Sequence, residues 1–147
     1  MYYANLNNWI KDLLKVDIQY MYYGSLIGAG VSLAVGGFDK ALLMLTVLIA
    51  MDYLTGVLAG CKLKKLDSSV GFKGILKKVV VYIVISFANI MDGAMQLEHL
   101  LRSMVIFGYA ATEGISIIEN VDRMGFGHLI PEFFKNKLNR LREEKLK

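Results

Sequence analysis

The stretch from residue 41 to residue 60, ALLMLTVLIAMDYLTGVLAG, is the clearest indication of the fold class of this chain. It is long enough to cross a bilayer as one α-helix, because a hydrocarbon core of roughly 30 Å takes about 20 apolar residues. Similar apolar stretches occupy residues 20–38, 79–97 and 101–118. Composition agrees, since 55% of the residues are hydrophobic and the mean hydropathy is +0.45. We therefore predict an all-α membrane protein, a single domain over residues 1–147 with about four transmembrane helices.

The basic residues are unevenly distributed between the two ends of these spans. Of the 17 Lys and Arg residues, only Lys40 and Arg102 lie at the short connections within the two predicted hairpins. The others lie in residues 1–19, in a basic loop over residues 61–78, and after the last span. Because positive segments remain in the cytoplasm, the pattern predicts four spans with both termini cytoplasmic. Three spans would place either the central loop or the tail on the wrong side. No cleavable signal peptide is visible, so we expect the first span to remain.

Both ends of the chain have the pattern of amphipathic helices at a membrane surface. In residues 1–19, apolar side chains that include Trp9 recur at helical spacing, with basic residues off that face. The same pattern follows Pro131 in a basic tail over residues 131–147. For the first segment, a helix packed in a bundle outside the membrane is the alternative. The predicted contacts with lipid headgroups are Trp9, Lys62, Lys64, Lys65, Lys77, Lys78, Lys135, Lys137, Arg140 and Arg142.

Three carboxylates lie inside the predicted spans, at Asp52, Asp92 and Glu113. A charge near the bilayer centre costs at least about 2.5–3.5 kcal/mol, so each carboxylate should face protein or water. Asp52 and Glu113 are at similar distances from the outer ends of their spans, and we expect them to share one polar layer. With no Lys or Arg within the spans to neutralise them, they should be protonated, hydrogen-bonded to amides and hydroxyls, or hydrated. The alternative is a purely structural role as hydrogen-bonding groups between helices.

Polar side chains form a stripe on each of the last two spans. Ser86, Asn89, Asp92, Gly93 and Gln96 share one face of the third span by their spacing of three and four residues. A similar stripe on the fourth span contains Tyr109, Thr112, Glu113, Ser116 and Asn120. Such stripes are typical both of a buried polar seam and of the wall of an aqueous opening. The residues predicted to line a pore or to join helices are Asp52, Asn89, Asp92, Gln96, Glu113, Ser116 and Asn120.

Small residues recur at every fourth position of the first span. This ridge would let two helix backbones approach closely in lipid, where no hydrophobic force drives helices together. The second span continues the pattern near its cytoplasmic end. Packing within one subunit and packing between subunits remain equally open for this ridge. The predicted helix-packing residues are Gly24, Gly28, Ser32, Gly36, Gly56 and Gly60.

The sequence has no conventional catalytic apparatus. His99 and His128 lie at opposite ends of the last span and cannot share a metal ion or a proton relay. Cys61 is the single cysteine, which is a poor basis for a metal site. We expect no catalytic residue, no metal and no cofactor. The net charge of +4 lies between apolar runs, so it indicates membrane phosphates and no nucleic acid as the partner.

Three ordered motifs resemble those of the Gram-positive phage-lysis and toxin-secretion holin family. The first is the aspartate and the Thr-Gly pair in Met51-Asp52-Tyr53-Leu54-Thr55-Gly56. The second is a Ser…Gly-x-x-Gly…Lys pattern in SSVGFKGILKK, residues 68–78. The third and most specific is Glu-x-x-Ser-x-x-Glu-Asn in EGISIIEN, residues 113–120, followed by Gly125 and Pro131. The match extends from Leu42 to about Leu138.

The resemblance implies a non-enzymatic bacteriophage-type holin. Such a protein accumulates in the bacterial host cytoplasmic membrane, forms a homo-oligomer and opens a lesion. Through it an endolysin, or in some relatives a toxin, reaches the outside and the host cell lyses. A small ion- or proton-coupled membrane exporter is the alternative, because a four-span subunit with intramembrane carboxylates could bind cations. A scaffold that anchors partners at the membrane is the third interpretation.

Overall fold

The computed structural model describes residues 18–64 and 68–136. Four long helices account for most of these residues, and a π-helical turn over Asp122–Phe126 and a 3-10 turn over Gly127–Leu129 follow the last one. The chain is helical again over residues 132–136. The predicted surface helix before residue 18 and the tail after residue 136 lie outside the described residues, as do Trp9, Lys65, Lys137, Arg140 and Arg142. The long helices are α1 (Ile18–Val35), α2 (Lys40–Lys62), α3 (Ser68–Met95) and α4 (Leu100–Val121).

The prediction of an all-α membrane protein is confirmed. Three stretches of helix are long and apolar enough to cross a bilayer, namely Lys40–Lys62, Gly74–Met95 and Leu100–Leu129. The first helix, α1, is not among them, because Gln19 and the tyrosines of its first two turns reduce its apolarity. Tyrosines are common at the boundary between lipid and water. A fourth crossing by α1 stays a prediction.

The predicted basic loop over residues 61–78 is much shorter in the structure. Helix α2 continues to Lys62, and α3 begins at Ser68, so most of this stretch is helical. Its lysines and its glycines, Gly71 and Gly74, resemble a loop by composition, but apolar residues at helical spacing run through it. This difference matters for the site, because it places Lys78 well inside a helix.

The connection between α1 and α2 is short, residues 36–39, but the two helices do not form the predicted tight hairpin. Gly36 and Gly37 end α1 with φ angles of 80° and 93°, which favour glycine. The amide of Gly37 donates to the Ser32 carbonyl at 2.7 Å. Asp39 then caps α2 by accepting from the Leu42 amide at 2.9 Å. Helix α1, which precedes this turn, packs against α3.

Helix α4 is the centre of the arrangement, because it packs against both α2 and α3. Those two helices contact each other much less, so the spatial order is α2, α4, α3, α1. The buried core lies where α2, α3 and α4 meet, and Leu42, Leu45 and Ile85 are its largest fully buried side chains. Large apolar side chains elsewhere point outward, as Phe107 does with 80% of its surface exposed. Such an exterior suits a lipid environment.

Candidate functional site: two polar clusters

One polar cluster joins the three central helices next to the core, and we call it the Lys78 cluster. Its members are Asp52 of α2, Lys78 of α3, and Glu113 and Asn120 of α4. Lys78 Nζ lies 2.8 Å from Asp52 Oδ2 and also donates to Glu113 Oε2. The exposed side-chain fractions are 20% for Lys78, 13% for Asp52 and 6% for Glu113. One ammonium group therefore binds two largely buried carboxylates from two other helices.

Asn120 completes this cluster from the last turns of α4. Its Nδ2 lies 3.2 Å from Asp52 Oδ1 and 3.3 Å from Thr55 Oγ1. The Thr55 hydroxyl also donates to carbonyls of its own helix, those of Met51 and Asp52. Both oxygens of Asp52 are therefore hydrogen-bonded, one to an amide and one to an ammonium. The aspartate and the Thr-Gly pair of the first motif thus meet the Glu and the Asn of the third motif.

The cluster lies deep between the ends of the helices. Asp52 is ten residues before Lys62, the end of α2, which is roughly 15 Å along the helix axis. Glu113 lies at the same level, since both carboxylates bind one ammonium group. The expectation that no basic residue neutralises them is wrong. Lys78, predicted to contact lipid headgroups from a loop, instead points inward from α3.

The charges of the Lys78 cluster do not cancel when all three groups are ionised. Two carboxylates and one ammonium leave one net negative charge. Removing charges from water is costly, and the cost is offset only by close pairing with additional hydrogen bonds. All buried side-chain nitrogen and oxygen atoms in the described residues have a hydrogen-bond partner. The hydrogen-bonding groups of the compact subunit are therefore satisfied, but this depends on every member of the cluster staying in place.

A second polar cluster, the Arg102 cluster, joins all four helices at the opposite end of the core. The Arg102 side chain is only 3% exposed. Its Nε donates to the Val35 carbonyl at 2.5 Å and its Nη2 to the Gly37 carbonyl at 3.1 Å. Its Nη1 lies 2.6 Å from Asp39 Oδ2. The Arg102 guanidinium beside Asp39, helped by the Leu42 amide, holds the pKa of that carboxyl below its usual value.

Asp92 and Asn89 of α3 belong to the Arg102 cluster. The two oxygens of Asp92 accept from the amides of Leu101 and Arg102, at 2.9 and 2.8 Å. Asp92 thereby caps the N-terminus of α4 from a neighbouring helix, where a negative charge is favourable. Asn89 Nδ2 lies 3.1 Å from the Ala34 carbonyl and 3.3 Å from that of Leu33, at the end of α1.

The remaining predicted polar residues do not meet in one place. Gln96 follows the end of α3, is exposed, and has a φ of 57°. Ser116 is half-buried in α4. Sequence reasoning missed a further contact within the predicted spans, where Thr46 Oγ1 and Tyr82 Oη are 2.9 Å apart. The sequence signal for this contact was a hydroxyl side chain on each of the second and third predicted spans.

The glycine ridge of α1 faces open space in this structure. Among residues 18–64 and 68–136, a Cβ atom added at Gly24 or Gly28 would meet nothing within 4 Å, and Ser32 is half-buried. Gly36 is a turn residue, and a Cβ atom there would collide with Asn89 and lie 2.9 Å from Arg102 Nε. In α2, Gly56 does face a neighbour, since its added Cβ would be 3.5 Å from Asn120 Nδ2, and Gly60 is half-buried.

Lys62, another predicted headgroup contact, takes part in an intramolecular arrangement at the end of α2. It donates to the Met124 carbonyl and lies 5.0 Å from the centre of the Phe126 ring. Gly125, with a φ of 84°, permits the chain to turn here, and a Cβ atom at that position would be 3.2 Å from Lys62 Nζ. Lys64 and Lys77 are exposed, and Lys135 is half-buried.

The helices and the clusters define a helical, multi-pass membrane protein with charged groups held between its spans. A comparison with known families matches residues 29–143 to the bacteriophage holin family. The chain belongs to that family.

Individual proteins are also similar to this chain. An uncharacterized 14.9 kDa protein from the nagH 3′ region of Clostridium perfringens is 36% identical over 130 residues, covering 87% of this chain and 97% of the relative. An uncharacterized protein of Listeria innocua is 39% identical over 127 residues, covering 86% and 85%. A probable holin of Bacillus phage phi105 is 35% identical over 89 residues, covering 60% and 66%. No solved structure matches this chain.

Proposed function

We propose that this chain oligomerises in the bacterial cytoplasmic membrane and opens lesions through which an endolysin or a toxin leaves the cell. Both termini are in the cytoplasm, and the protein has no enzymatic activity of its own. Membership of the bacteriophage holin family supports a holin-like role. The observation that carries the proposal is the Lys78 cluster, in which three helices hold three ionisable groups between apolar spans.

Charged groups inside a membrane protein are costly unless they are paired or hydrated, and those that are present commonly mark a functional site. In the compact subunit their partners are each other, and this arrangement holds α2, α3 and α4 together. In an assembly that contains water, hydration replaces these partners. Asp52, Glu113 and Asn120 would then change from a seam between helices to the wall of the lesion.

Asn89 and Asp92 have a different place in this proposal. They hold the end of α1 and the start of α4, and Asp92 is only 3% exposed. We assign them to the frame of the subunit and not to the wall of the lesion. Gln96 and Ser116 remain candidates for polar contacts between subunits, since neither has its side chain in the two clusters.

Self-association and lipid binding use other surfaces. A Cβ atom added at Gly24 or Gly28 would meet none of the described residues within 4 Å, so we assign their ridge to packing between subunits. The exposed Lys64 and Lys77, with the basic tail, would hold anionic lipid headgroups on the cytoplasmic side, each contributing about 1 kcal/mol near the surface.

Expression in bacteria tests the proposal. The protein is induced alone, with a cytoplasmic endolysin, and with an endolysin inactivated in its catalytic site. We expect abrupt growth arrest in all three cultures and lysis only with the active endolysin. Continued growth of the induced culture that carries the active endolysin would contradict a holin function. That result would favour an ion- or proton-coupled exporter, for which Asp52 and Glu113 would be the ion-binding carboxylates.

A further inference from the structure

A polar groove runs between α2 and α3 with α4 as its floor. Two bridges cross it, the hydroxyl pair of Thr46 and Tyr82 at 2.9 Å and the ion pair of Asp52 and Lys78 at 2.8 Å. From the first bridge to the second, the residue number rises along α2, from Thr46 to Asp52, and falls along α3, from Tyr82 to Lys78. The two helices are therefore antiparallel. We call the surface formed by these four residues the α2–α3 groove. Glu113 of α4 lies beneath it, bound to Lys78.

The groove is accessible from the side of the subunit. Thr46 is exposed, Tyr82 is half-buried, and the two charged groups of the second bridge are partly exposed. Neighbouring positions on the same helices carry outward-facing apolar side chains, such as Val47 with 46% exposure and Ile83 with 60%. A polar strip therefore lies between two apolar surfaces that suit lipid.

The balance of contacts favours separation of α2 from α3 along this groove. Each helix packs closely against α4, whereas few direct contacts join α2 to α3, and the two polar bridges are among them. Separation along the groove can therefore leave the packing of each helix against α4 in place. In water the freed hydroxyl and charged groups would be solvated, so each broken bridge has a small net cost. In hydrocarbon the same groups would be unsatisfied, and the groove would stay closed.

We propose that the α2–α3 groove opens to water in the assembled protein, and that Thr46, Asp52, Lys78 and Tyr82 line the aqueous passage. This inference rests on the proposed holin function and names the face of the subunit that serves it. It differs from the lining predicted by the stripe on α3, because Asn89 and Asp92 of that stripe are occupied in the Arg102 cluster. The occupant of the groove is water, and lipid covers the flanking apolar faces.

Cysteine accessibility tests this assignment in cells that lack endolysin. In a Cys61→Ser background, single variants Thr46→Cys and Tyr82→Cys report on the groove, and Val47→Cys and Ile83→Cys are the matched controls. A membrane-impermeant cationic thiol reagent is added before and after growth arrest. We expect the groove thiols to react only after arrest and at least about tenfold faster than the controls, because the reactive thiolate forms in water.

A second measurement covers the case in which one variant fails to assemble. In the double variant Thr46→Cys, Tyr82→Cys, a bifunctional thiol cross-linker across the groove should prevent arrest, whereas a monofunctional reagent of similar size should not. Growth arrest with equal labelling of groove and control positions, or arrest despite cross-linking, would overturn the assignment and leave the holin function standing. Absence of arrest in the parental Cys61→Ser protein would instead count against the holin function itself.

Discussion

Lys78 Nζ lies 2.8 Å from Asp52 Oδ2 and also binds Glu113, so one ammonium group connects three helices in the interior of the subunit. The central helix α4 separates α2 from α3 over most of their length. The Lys78 cluster is therefore a principal link between α2 and α3. Loss of this cluster should therefore destabilise the whole subunit and not one helix alone.

Replacing Lys78 by Met should destabilise the subunit strongly. The change leaves two carboxylates, Asp52 and Glu113, close together without their cation, and loss of one partner of a buried ion pair costs up to about 3–5 kcal/mol. Thermal unfolding of the purified protein in detergent measures the effect. The matched control is Lys77→Met, because Lys77 is the preceding residue of the same helix and is exposed. Equal unfolding temperatures for the two variants would contradict a stabilising role of the Lys78 cluster.

The amide variants Asp52→Asn and Glu113→Gln should behave differently from Lys78→Met. Each leaves one carboxylate paired with Lys78, so the remaining pair is balanced in charge and insertion should be intact. We expect a changed time of lysis at matched expression, because removing the unpaired negative charge changes how strongly hydration favours the open assembly over the compact subunit. Lysis by both variants on the wild-type schedule would show that these charges have no part in triggering.

The Asp39 carboxyl gives a prediction about pH. Its lowered folded-state pKa means that ionised Asp39 stabilises the fold above the ordinary aspartate pKa of about 3.9. The contribution is lost as the pH falls through the lower folded-state value. In detergent, the difference in unfolding temperature between wild type and Asp39→Asn should be constant above about pH 5 and shrink below about pH 4. A difference that grows as the pH falls would contradict the Arg102–Asp39 contact.

The glycine ridge predicts a change in assembly without a change in the subunit. Because a Cβ atom added at Gly28 would meet no atom of the described residues within 4 Å, Gly28→Leu should leave the unfolding temperature of the monomer unaltered. It should reduce cross-linking between subunits if the ridge packs against another copy. Leu26→Ile on the same helix is the control. Cross-linking of Gly28→Leu at the wild-type level would exclude the ridge as a contact between subunits.

Topology is tested best at positions that are exposed. In a Cys61→Ser background, Lys40→Cys and Glu98→Cys should react with an impermeant reagent outside intact cells before growth arrest, and Lys64→Cys should not. Arg102 is unsuitable for labelling because its side chain is buried. Labelling near the C-terminus from outside intact cells would contradict the four-span arrangement.

The helical fold could be predicted from the sequence because apolar stretches of membrane length leave few alternatives. The shared depth of Asp52 and Glu113 followed from counting residues along two helices. Their partner did not, because Lys78 lies in a stretch of lysines and glycines that resembles a loop. Helix α3 begins at Ser68, ten residues before Lys78, so this lysine lies within the helix and not in a loop.

The Arg102 cluster shows a second limit of sequence patterns. In the sequence Arg102 stood out only as a basic residue at a short connection, and Asp92 only as a carboxylate within a polar stripe of one span. Their function depends on backbone groups, since Asp92 binds the first amides of α4 and Arg102 binds the last carbonyls of α1. Free backbone groups at helix ends are not visible in residue spacing. Contacts of this kind follow only from the arrangement of the helices.

Release of a folded protein from vesicles is the most direct measurement of lesion formation by this chain. Purified wild-type protein is reconstituted into liposomes that contain a small dye and a folded protein of endolysin size. We predict release of both contents once the protein assembles, with release of neither from vesicles that lack it. Release of the dye while the folded protein is fully retained would contradict a lesion that passes an endolysin.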